Sequence, residues 1–260
     1  MSLSRRVAYL EALGVDVYVR RSLAPGTATA GGAPALAAEA SPAPVPESLA
    51  AIVPTPTDVV ARDPGAASLE WDPLRERVSS CTRCALHETR TQTVFGVGHP
   101  RASWMFIGEA PGAEEDRQGE PFVGRAGQLL TSMLKAIGLR REDVYIANVL
   151  KCRPPGNRDP RPEEVAQCRG YLERQIELVS PSIIVAVGRI AAQNLLATDT
   201  ALARLRGKVH ALGPRGWPLV VTYHPAYLLR SPGEKRKAWQ DLLFAMQLHR
   251  RIEAGEQVLP

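Results

Sequence analysis

Four short runs of apolar, mostly β-branched residues recur along the chain, and each run is followed directly by turn residues. Between them lie longer segments whose apolar residues repeat with the period of an α-helix. Strands that alternate with helices are typical of a parallel sheet with helices packed on its faces. We therefore predict an α/β fold, a three-layer sandwich with a central four-stranded parallel sheet. The predicted strands are Trp104–Ile107, Val144–Val149, Ile183–Val187 and Leu219–Thr222.

The helical segments carry start and stop signals of their own. Apolar positions repeat through Gly127–Ile137, and Gly138 follows as a C-terminal cap. Pro162–Leu178 opens with a proline and two glutamates, which suit the first turn of a helix. Ile190–Leu196 and Ala238–Ile252 complete the predicted set.

The first 70 residues differ in composition from the rest of the chain. Residues 22–48 contain nine Ala, five Pro and three Gly, with no aromatic residue and no Lys or Arg. Such a segment buries too little apolar surface to offset the entropy lost on ordering. We expect a mostly disordered N-terminal extension, made of a small element at 1–23 and an Ala/Pro/Gly-rich linker at 24–69. The globular domain is then expected at 70–252.

Charge and hydropathy exclude several classes of protein. No run of 18 or more apolar residues is present, and charged residues interrupt the N-terminal stretch, so we expect neither a membrane helix nor a secretory signal. A cytoplasmic protein is therefore expected. The net charge is +5, but residues 1–70 carry five Lys+Arg against seven Asp+Glu, whereas residues 71–260 carry 27 against 20. This concentration of positive charge suits a polyanionic partner such as nucleic acid.

The four cysteines have a spacing that suggests a metal centre. Cys81 and Cys84 form a CxxC pair, and Cys152 and Cys168 stand apart from it and from each other. Four is too few for a disulfide scaffold, and the cytosol would keep them reduced. Four thiolates fit a structural zinc ion or a [4Fe–4S] cluster. One compact pair with two separated single cysteines favours the cluster, in a structural or DNA-positioning role.

The carboxyl ends of the predicted strands should form the functional site, because ligands of open α/β sheets bind there. Glu109 lies in the glycine-rich turn after the first strand, where a carboxylate can position water. Asn148 can read the amide-like edge of a base, or simply bond a neighbouring loop. His224 precedes a proline, which holds its backbone extended and fixes where its side chain points. Phe122 offers a stacking platform for a planar ring, or packs in the core.

Taken in order, these motifs resemble the iron–sulfur uracil-DNA glycosylases of family 4. The resemblance covers about residues 71–250 and leaves out the first 70. It rests on these segments and the four cysteines: Gly108-Glu109-Ala110-Pro111-Gly112, Pro121-Phe122-Val123-Gly124, Asn148, and His224-Pro225-Ala226-Tyr227-Leu228-Leu229.

The family implies a uracil-DNA glycosylase-like fold and a monomeric repair enzyme of the cytoplasm, associated with the nucleoid. Such an enzyme flips uracil out of single- or double-stranded DNA and hydrolyses its N-glycosidic bond, leaving an abasic site. One [4Fe–4S] cluster per chain is implied on the four cysteines.

The resemblance also implies roles for individual residues. Glu109 would position or deprotonate the attacking water, and His224 would donate a hydrogen bond to uracil O2. Phe122 would stack on the uracil ring and Asn148 would pair with its N3–H and O4 edge. The remaining pocket residues would be Gly108 and Ala110, through their backbone, and Glu115, as a wall against the thymine methyl group.

Contacts with DNA are expected on two further segments. Arg153, Arg158 and Arg161, near the third cysteine, are predicted to contact phosphates. The segment Tyr227–Arg230 is predicted as a loop whose Leu228, Leu229 and Arg230 fill the gap left by the flipped nucleotide.

Two other functions fit parts of the pattern. One is a broader-specificity glycosylase of the related family 5, whose corresponding motif lacks the glutamate, so Glu109 argues against it. The other is a non-enzymatic iron–sulfur module that binds DNA. Against that alternative stand Asn148, Phe122 and His224, each of which lies where a pocket is expected.

Overall fold

The computed structural model describes residues 65–258. Six strands form one sheet in the order β1-β3-β2-β4-β6-β5. The central four, β3-β2-β4-β6, are parallel, as predicted. The two edge strands are antiparallel to their neighbours and were not predicted. The strands are β1 (Val97–Gly98), β2 (Trp104–Gly108), β3 (Tyr145–Asn148), β4 (Ile183–Val187), β5 (His210–Leu212) and β6 (Trp217–Thr222).

α-Helices make up about half of the remaining described chain. The four predicted helices are present, and no end is shifted by more than three residues. The helices are α1 (Trp71–Ser79), α2 (Ala113–Gln118), α3 (Arg125–Ala136), α4 (Pro162–Val179), α5 (Arg189–Leu196), α6 (Leu202–Leu205), α7 (Pro225–Arg230) and α8 (Lys235–Glu253). None of the helices within 65–258 is long and apolar enough to cross a membrane.

Side chains of the central strands alternate between two buried clusters, which confirms the three-layer sandwich. Phe106 and Val185 pack on one face of the sheet with residues of α3 and α8, including Leu242. Ile107 and Ile184 pack on the other face with residues of α4 and α5. Because successive side chains of a strand point to opposite faces, a fully apolar run is what a strand buried on both faces requires.

A third cluster joins the start of the described chain to the middle of it. Leu74 and Val78 of α1 pack there against Cys152 and Tyr171. Ala66 is fully buried in the same cluster, and the backbone carbonyl of Leu69 accepts a hydrogen bond of 2.7 Å from Arg174 Nε. Ala66 and Leu69 fall within the predicted linker, yet both pack against this cluster. The predicted element at 1–23 and the linker up to residue 64 lie outside the described residues.

One local prediction is wrong. Tyr227–Arg230, expected as a loop, belongs to α7. Pro225 occupies the first turn of this helix, where the missing N–H costs nothing, and the His224 ring accepts a hydrogen bond from the Ala226 N–H. A capped start and a proline with a preset φ therefore make a six-residue helix where the sequence pattern indicates only a turn.

Candidate active site

A cavity of about 640 Å³ opens at the carboxyl ends of the parallel strands. Glu109, Phe122, Asn148 and His224, predicted from four separate segments, all line it. The topology explains the convergence, because parallel strands end at the same edge of the sheet. The cavity is large enough for a base together with part of its nucleotide.

Gly108 is not among the residues that line the cavity, but it lies directly beside two that are, Asn148 and Phe122. β2 and β3 are paired so that Gly108 lies opposite Asn148. A Cβ atom at position 108 would come within 2.4 Å of Asn148 Oδ1 and 2.6 Å of the Phe122 ring. Only glycine therefore lets the amide and the aromatic ring approach the same strand end.

Phe122 is held in a left-handed backbone conformation, with φ of 54°. Its side chain is buried, and its ring centroid lies 5.6 Å from that of His224. Gly127 makes this possible, since a Cβ atom there would lie 1.7 Å from the Phe122 carbonyl oxygen. A non-glycine residue at positive φ carries strain that the surroundings must offset, and such strain is common in binding sites.

Two side chains fix the loop that carries Phe122. Glu115 accepts hydrogen bonds from the backbone N–H groups of Val123 at 3.0 Å, Gly124 at 3.2 Å and Gly112 at 3.1 Å. Arg141 donates to the Pro121 carbonyl from the other side. Glu115 lines the cavity as predicted, and it also ties the turn after β2 to the Phe122 loop.

One polar atom of the Asn148 side chain is buried without a hydrogen-bond partner within residues 65–258. Its side chain is 2% exposed, and its Oδ1 has no hydrogen-bond partner among the described residues. A buried carbonyl oxygen without a partner costs about 1–3 kcal/mol. An N–H donor on a bound ligand would satisfy it.

His224 is neutral and carries its proton on the outer ring nitrogen. Nδ1 accepts the Ala226 N–H at 3.1 Å, so the proton of the neutral ring is on Nε2. Burial, with Arg230 adding to the effect and Glu115 opposing it, lowers the pKa of His224 to about 4. Gly188 allows this packing, because a Cβ atom there would lie 2.9 Å from the His224 Cβ.

Glu109 is poised to change its charge near neutral pH. Burial raises the pKa of its carboxyl group to about 7, with Asp159 adding to the rise and Arg189 opposing it. Asp159 and Arg189 also line the cavity and form an ion pair of 3.0 Å with each other. A carboxyl group with such a pKa can serve as a general base in neutral solution.

The residues of the predicted DNA wedge differ in their exposure to solvent. Leu228 is 1% exposed and packs in the core, so it is not available on the surface. Leu229 is 37% exposed, and Arg230 lines the cavity. The prediction treated both leucines alike, because a loop would have let both face outward; in α7 the two side chains point in different directions.

The three predicted phosphate contacts also differ in their surroundings. Arg158 forms an ion pair with Glu164, with contacts of 2.5 and 2.9 Å. Arg153 Nε donates to the Asn157 side chain at 2.7 Å. Arg161 is exposed, and its backbone N–H donates to Glu164. The structure therefore leaves the Arg161 side chain the most open to solvent of the three.

All four cysteines line one small cavity beneath α1 and α4, and none of them forms a disulfide. Arg90 Nη1 lies 3.1 Å from Cys152 Sγ, and the Lys151 backbone N–H lies 3.3 Å from Cys168 Sγ. Donors aimed at sulfur atoms are the surroundings that bound thiolates require.

No three His, Cys, Asp or Glu side chains within 65–258 are arranged to hold a single metal ion. Four free thiols around a common cavity supply the ligand set of a structural zinc ion or of an iron–sulfur cluster.

A buried lysine connects this cavity to the candidate active site, and no pattern in the sequence points to it. Lys151 is 1% exposed, and its Nζ donates to the Asn148 backbone carbonyl at 2.8 Å and to Gln175 Oε1 at 2.5 Å. Gln175 in turn donates to the Phe95 carbonyl and the Tyr145 hydroxyl. Hydrogen bonds between residues so far apart in the chain leave no periodic signal in the sequence.

A comparison with known protein families identifies the superfamily to which this chain belongs. Residues 95–243 match the family model described as the uracil DNA glycosylase superfamily, and this segment covers more than half of the chain. The match contains the cavity residues from Glu109 to Arg230 and two of the four cysteines.

Individual relatives identify the type of uracil-DNA glycosylase within this superfamily. The type-4 uracil-DNA glycosylase of Archaeoglobus fulgidus is 53% identical over 167 residues, which are 62% of this chain and 84% of the relative. That of Thermotoga maritima is 49% identical over 160 residues, 61% of this chain and 82% of the relative. The type-5 uracil-DNA glycosylase of Pyrobaculum aerophilum is 31% identical over 192 residues, 61% of this chain and 83% of the relative. The chain therefore belongs to the type-4 uracil-DNA glycosylases, and it excises uracil from DNA by hydrolysing the N-glycosyl bond.

Proposed function

We propose that the cavity is the uracil pocket and that Asn148 identifies the base. The main support for this proposal is the buried Asn148 Oδ1, which has no hydrogen-bond partner among the described residues. This oxygen lies close to the Phe122 ring and to Gly108. Uracil N3–H would meet this oxygen, the amide NH₂ would meet uracil O4, and Phe122 would stack on the ring. Gly108 and Ala110 line the base through their backbone.

This arrangement discriminates between bases by donor and acceptor pattern. Cytosine presents an acceptor at N3 and a donor at C4. The Asn148 oxygen would therefore face an acceptor, and the Asn148 NH₂ group would face a donor. Sites that reject a ligand by leaving buried polar groups unpaired reach factors on the order of 10⁴–10⁵. Thymine differs only by its methyl group, and Glu115, fixed by three backbone N–H groups, is the proposed wall against it.

The chemistry is divided between His224 and Glu109. The neutral His224 ring would donate from Nε2 to uracil O2 as negative charge develops on the departing base. A preorganised donor of this kind contributes roughly 3–4 kcal/mol. Glu109 would position and deprotonate the attacking water and stabilise the cationic sugar.

DNA would be held around the mouth of the pocket. Leu229 is the proposed wedge that fills the gap left by the flipped nucleotide, with Arg230 beside it. Arg161 contacts phosphate in this proposal, joined by Arg153 and Arg158 if their present partners are exchanged. We propose that the enzyme acts as a monomer on single- or double-stranded DNA, in the cytoplasm at the nucleoid.

The four cysteines are proposed to hold one [4Fe–4S] cluster. Support comes from their shared cavity and from the donors that Arg90 and Lys151 direct at their sulfur atoms. The cluster would stabilise the segments that carry Arg153 and Arg161, with no part in bond cleavage.

Two variants test the proposed roles, Asn148→Asp for reading and His224→Ala for chemistry. Single-turnover excision is measured on uracil-containing oligonucleotides, beside binding to a non-cleavable uracil analogue. Asn148→Asp replaces the amide donor by a carboxylate that faces O4 repulsively, so binding to the analogue should weaken. His224→Ala should bind the analogue normally and cleave roughly 10²–10³-fold more slowly.

The reverse pattern would contradict the proposal. If His224→Ala abolished binding but kept the rate at saturation, His224 would be a positioning residue. If Asn148→Asp bound and excised uracil like the wild type, the base would be read elsewhere.

A further inference from the structure

Two tyrosines at the mouth of the pocket form a stacked pair that uracil recognition does not use. The Tyr223 and Tyr227 rings lie 5.3 Å apart between centroids, with 17° between their planes. Both residues line the cavity, and Tyr227 is 38% exposed, one of two large apolar side chains in the described residues that are this open to solvent. An exposed aromatic ring at the entrance of a nucleic-acid site is a surface on which a base can stack.

Tyr223 is fixed from within the fold, so the pair is a rigid feature. The Arg206 guanidinium lies over the Tyr223 ring, 4.4 Å from its centroid. Arg206 is itself held by Asp241, through contacts of 2.7 and 2.8 Å, and Asp241 also accepts a hydrogen bond from Thr222 at 2.9 Å. The Arg206 and Asp241 side chains are 13% and 5% exposed, so this support is largely shielded from water and salt.

The position of Tyr227 on α7 separates it from the proposed wedge. Tyr227 and Arg230 are one helical turn apart and both line the cavity, whereas Leu229 does not. Residues spaced by three on a helix share a face, so Tyr227 and Arg230 can act on one nucleotide. An aromatic ring would take its base, and the guanidinium would take its phosphate.

We infer that Tyr227, supported by Tyr223, is a stacking site for the base adjacent to uracil on the same DNA strand. This inference rests on the proposal that the cavity holds the flipped uracil. This stacking contact can also form on single-stranded DNA. Such DNA has no complementary strand, so there is no gap in a duplex for the wedge to fill. Purines, with larger rings, should bind this site better than pyrimidines.

The test pairs a change in the protein with a change in the DNA. Binding is measured for single-stranded oligonucleotides that carry a non-cleavable uracil analogue, with either an adenine or an abasic analogue on each side of it. Tyr227→Ala should weaken binding about 10-fold when the neighbouring base is present, within the range for loss of one stacked base. It should change binding less than about two-fold when that neighbour is abasic. Tyr227→Phe keeps the ring and should behave like the wild type.

A fluorescent probe locates the contact. With 2-aminopurine beside the analogue, binding should quench the fluorescence on one flank in the wild type and in Tyr227→Phe, and less in Tyr227→Ala. An equal loss of affinity with and without the neighbouring base would overturn the inference. So would a change confined to 2-aminopurine placed opposite uracil in a duplex, because Tyr227 would then be part of the wedge.

Failure of the pocket proposal would give a different result. Asn148→Asp would then fail to weaken binding to the uracil analogue relative to a thymine oligonucleotide, whatever base lies beside it. Failure of the stacking inference leaves that uracil preference intact and removes only the dependence of Tyr227→Ala on the neighbouring base.

Discussion

At the scale of single residues, the charge state of Glu109 is determined by its burial and by two charged neighbours, Asp159 and Arg189. Removal from water favours the protonated carboxyl group and raises its pKa, and Asp159 adds to this effect. Arg189 favours the carboxylate, and its own ion pair with Asp159 couples the two neighbours. The charge state of Glu109 therefore depends on two other charged residues that line the cavity.

This balance predicts the pH dependence of uracil excision. Activation of water needs the carboxylate, so the single-turnover rate should rise with pH through about 7 and then level off. Arg189→Gln removes the charge that favours the carboxylate, so the midpoint should move to higher pH. Asp159→Asn removes a repelling charge, so the midpoint should move lower. A rate that falls as pH rises through 7, or midpoints that do not move in either variant, would contradict the role given to Glu109.

A second prediction at this scale concerns Gly108, which lies beside Asn148 and Phe122. Gly108→Ala would place a methyl group 2.4 Å from Asn148 Oδ1, where the uracil edge is proposed to bind. We expect excision to fall by at least about two orders of magnitude, as a 1 Å misplacement in an active site can cause. The matched control is Gly233→Ala, since a Cβ atom there meets nothing within 4 Å and its φ is not positive. Comparable activity of Gly108→Ala and Gly233→Ala would show that the base does not lie against this strand end.

At the scale of elements, the cysteine cavity joins the region around α1 to α4. If the thiolates hold iron, protein purified without oxygen should be brown, with about four iron atoms per chain. Cys152→Ala should lose iron and thermal stability together, because ligation is coupled to folding. Gln167→Ala, which changes another residue lining the same cavity, should keep both. A colourless wild-type protein with one zinc ion would refute the cluster.

The central elements could be predicted because burial imposes a pattern on them. Ile183–Val187 matches β4 residue for residue, since a strand buried on both faces must be apolar throughout. The edge strands Val97–Gly98 and His210–Leu212 are two and three residues long, too short for any period to show. α7 was missed for the same reason.

The candidate active site was predictable only as far as the ends of the strands determine it. Asn148 and His224 follow from the rule that ligands bind at the carboxyl ends of parallel strands. The supporting contacts do not follow from it. Arg141 reaches Pro121 and Lys151 reaches Gln175 through tertiary packing alone, and Leu228 turns inward only because α7 is a helix.

At the scale of the whole molecule, the described residues contain every proposed site residue. A truncation that removes residues 1–64 should therefore excise uracil within a few-fold of the full chain. The removed segment has no Lys or Arg between Arg21 and Arg62 with which to hold phosphate. A hundred-fold loss of activity in a folded, iron-loaded truncation would show that the N-terminal residues take part in the reaction.

A slightly longer truncation serves as the comparison. Removing residues 1–69 also deletes the buried Ala66 and the Leu69 carbonyl that Arg174 binds. This variant should melt at a lower temperature than the truncation at 64, because a core contact and a hydrogen bond to a charged group are lost. Equal melting temperatures would place the boundary of the domain after residue 69.

The two short edge strands bear on how the protein behaves in a crowded solution. A parallel sheet that ended at β3 or β6 would present a full row of unpaired backbone groups, to which a strand of another molecule could add. β1 and β5 cover part of these rows, pairing with two residues of β3 and three residues of β6. In the described part of the chain, the sheet thus ends in segments too short to template a further strand. The same arrangement that closes the fold should keep concentrated enzyme from joining edge to edge into aggregates.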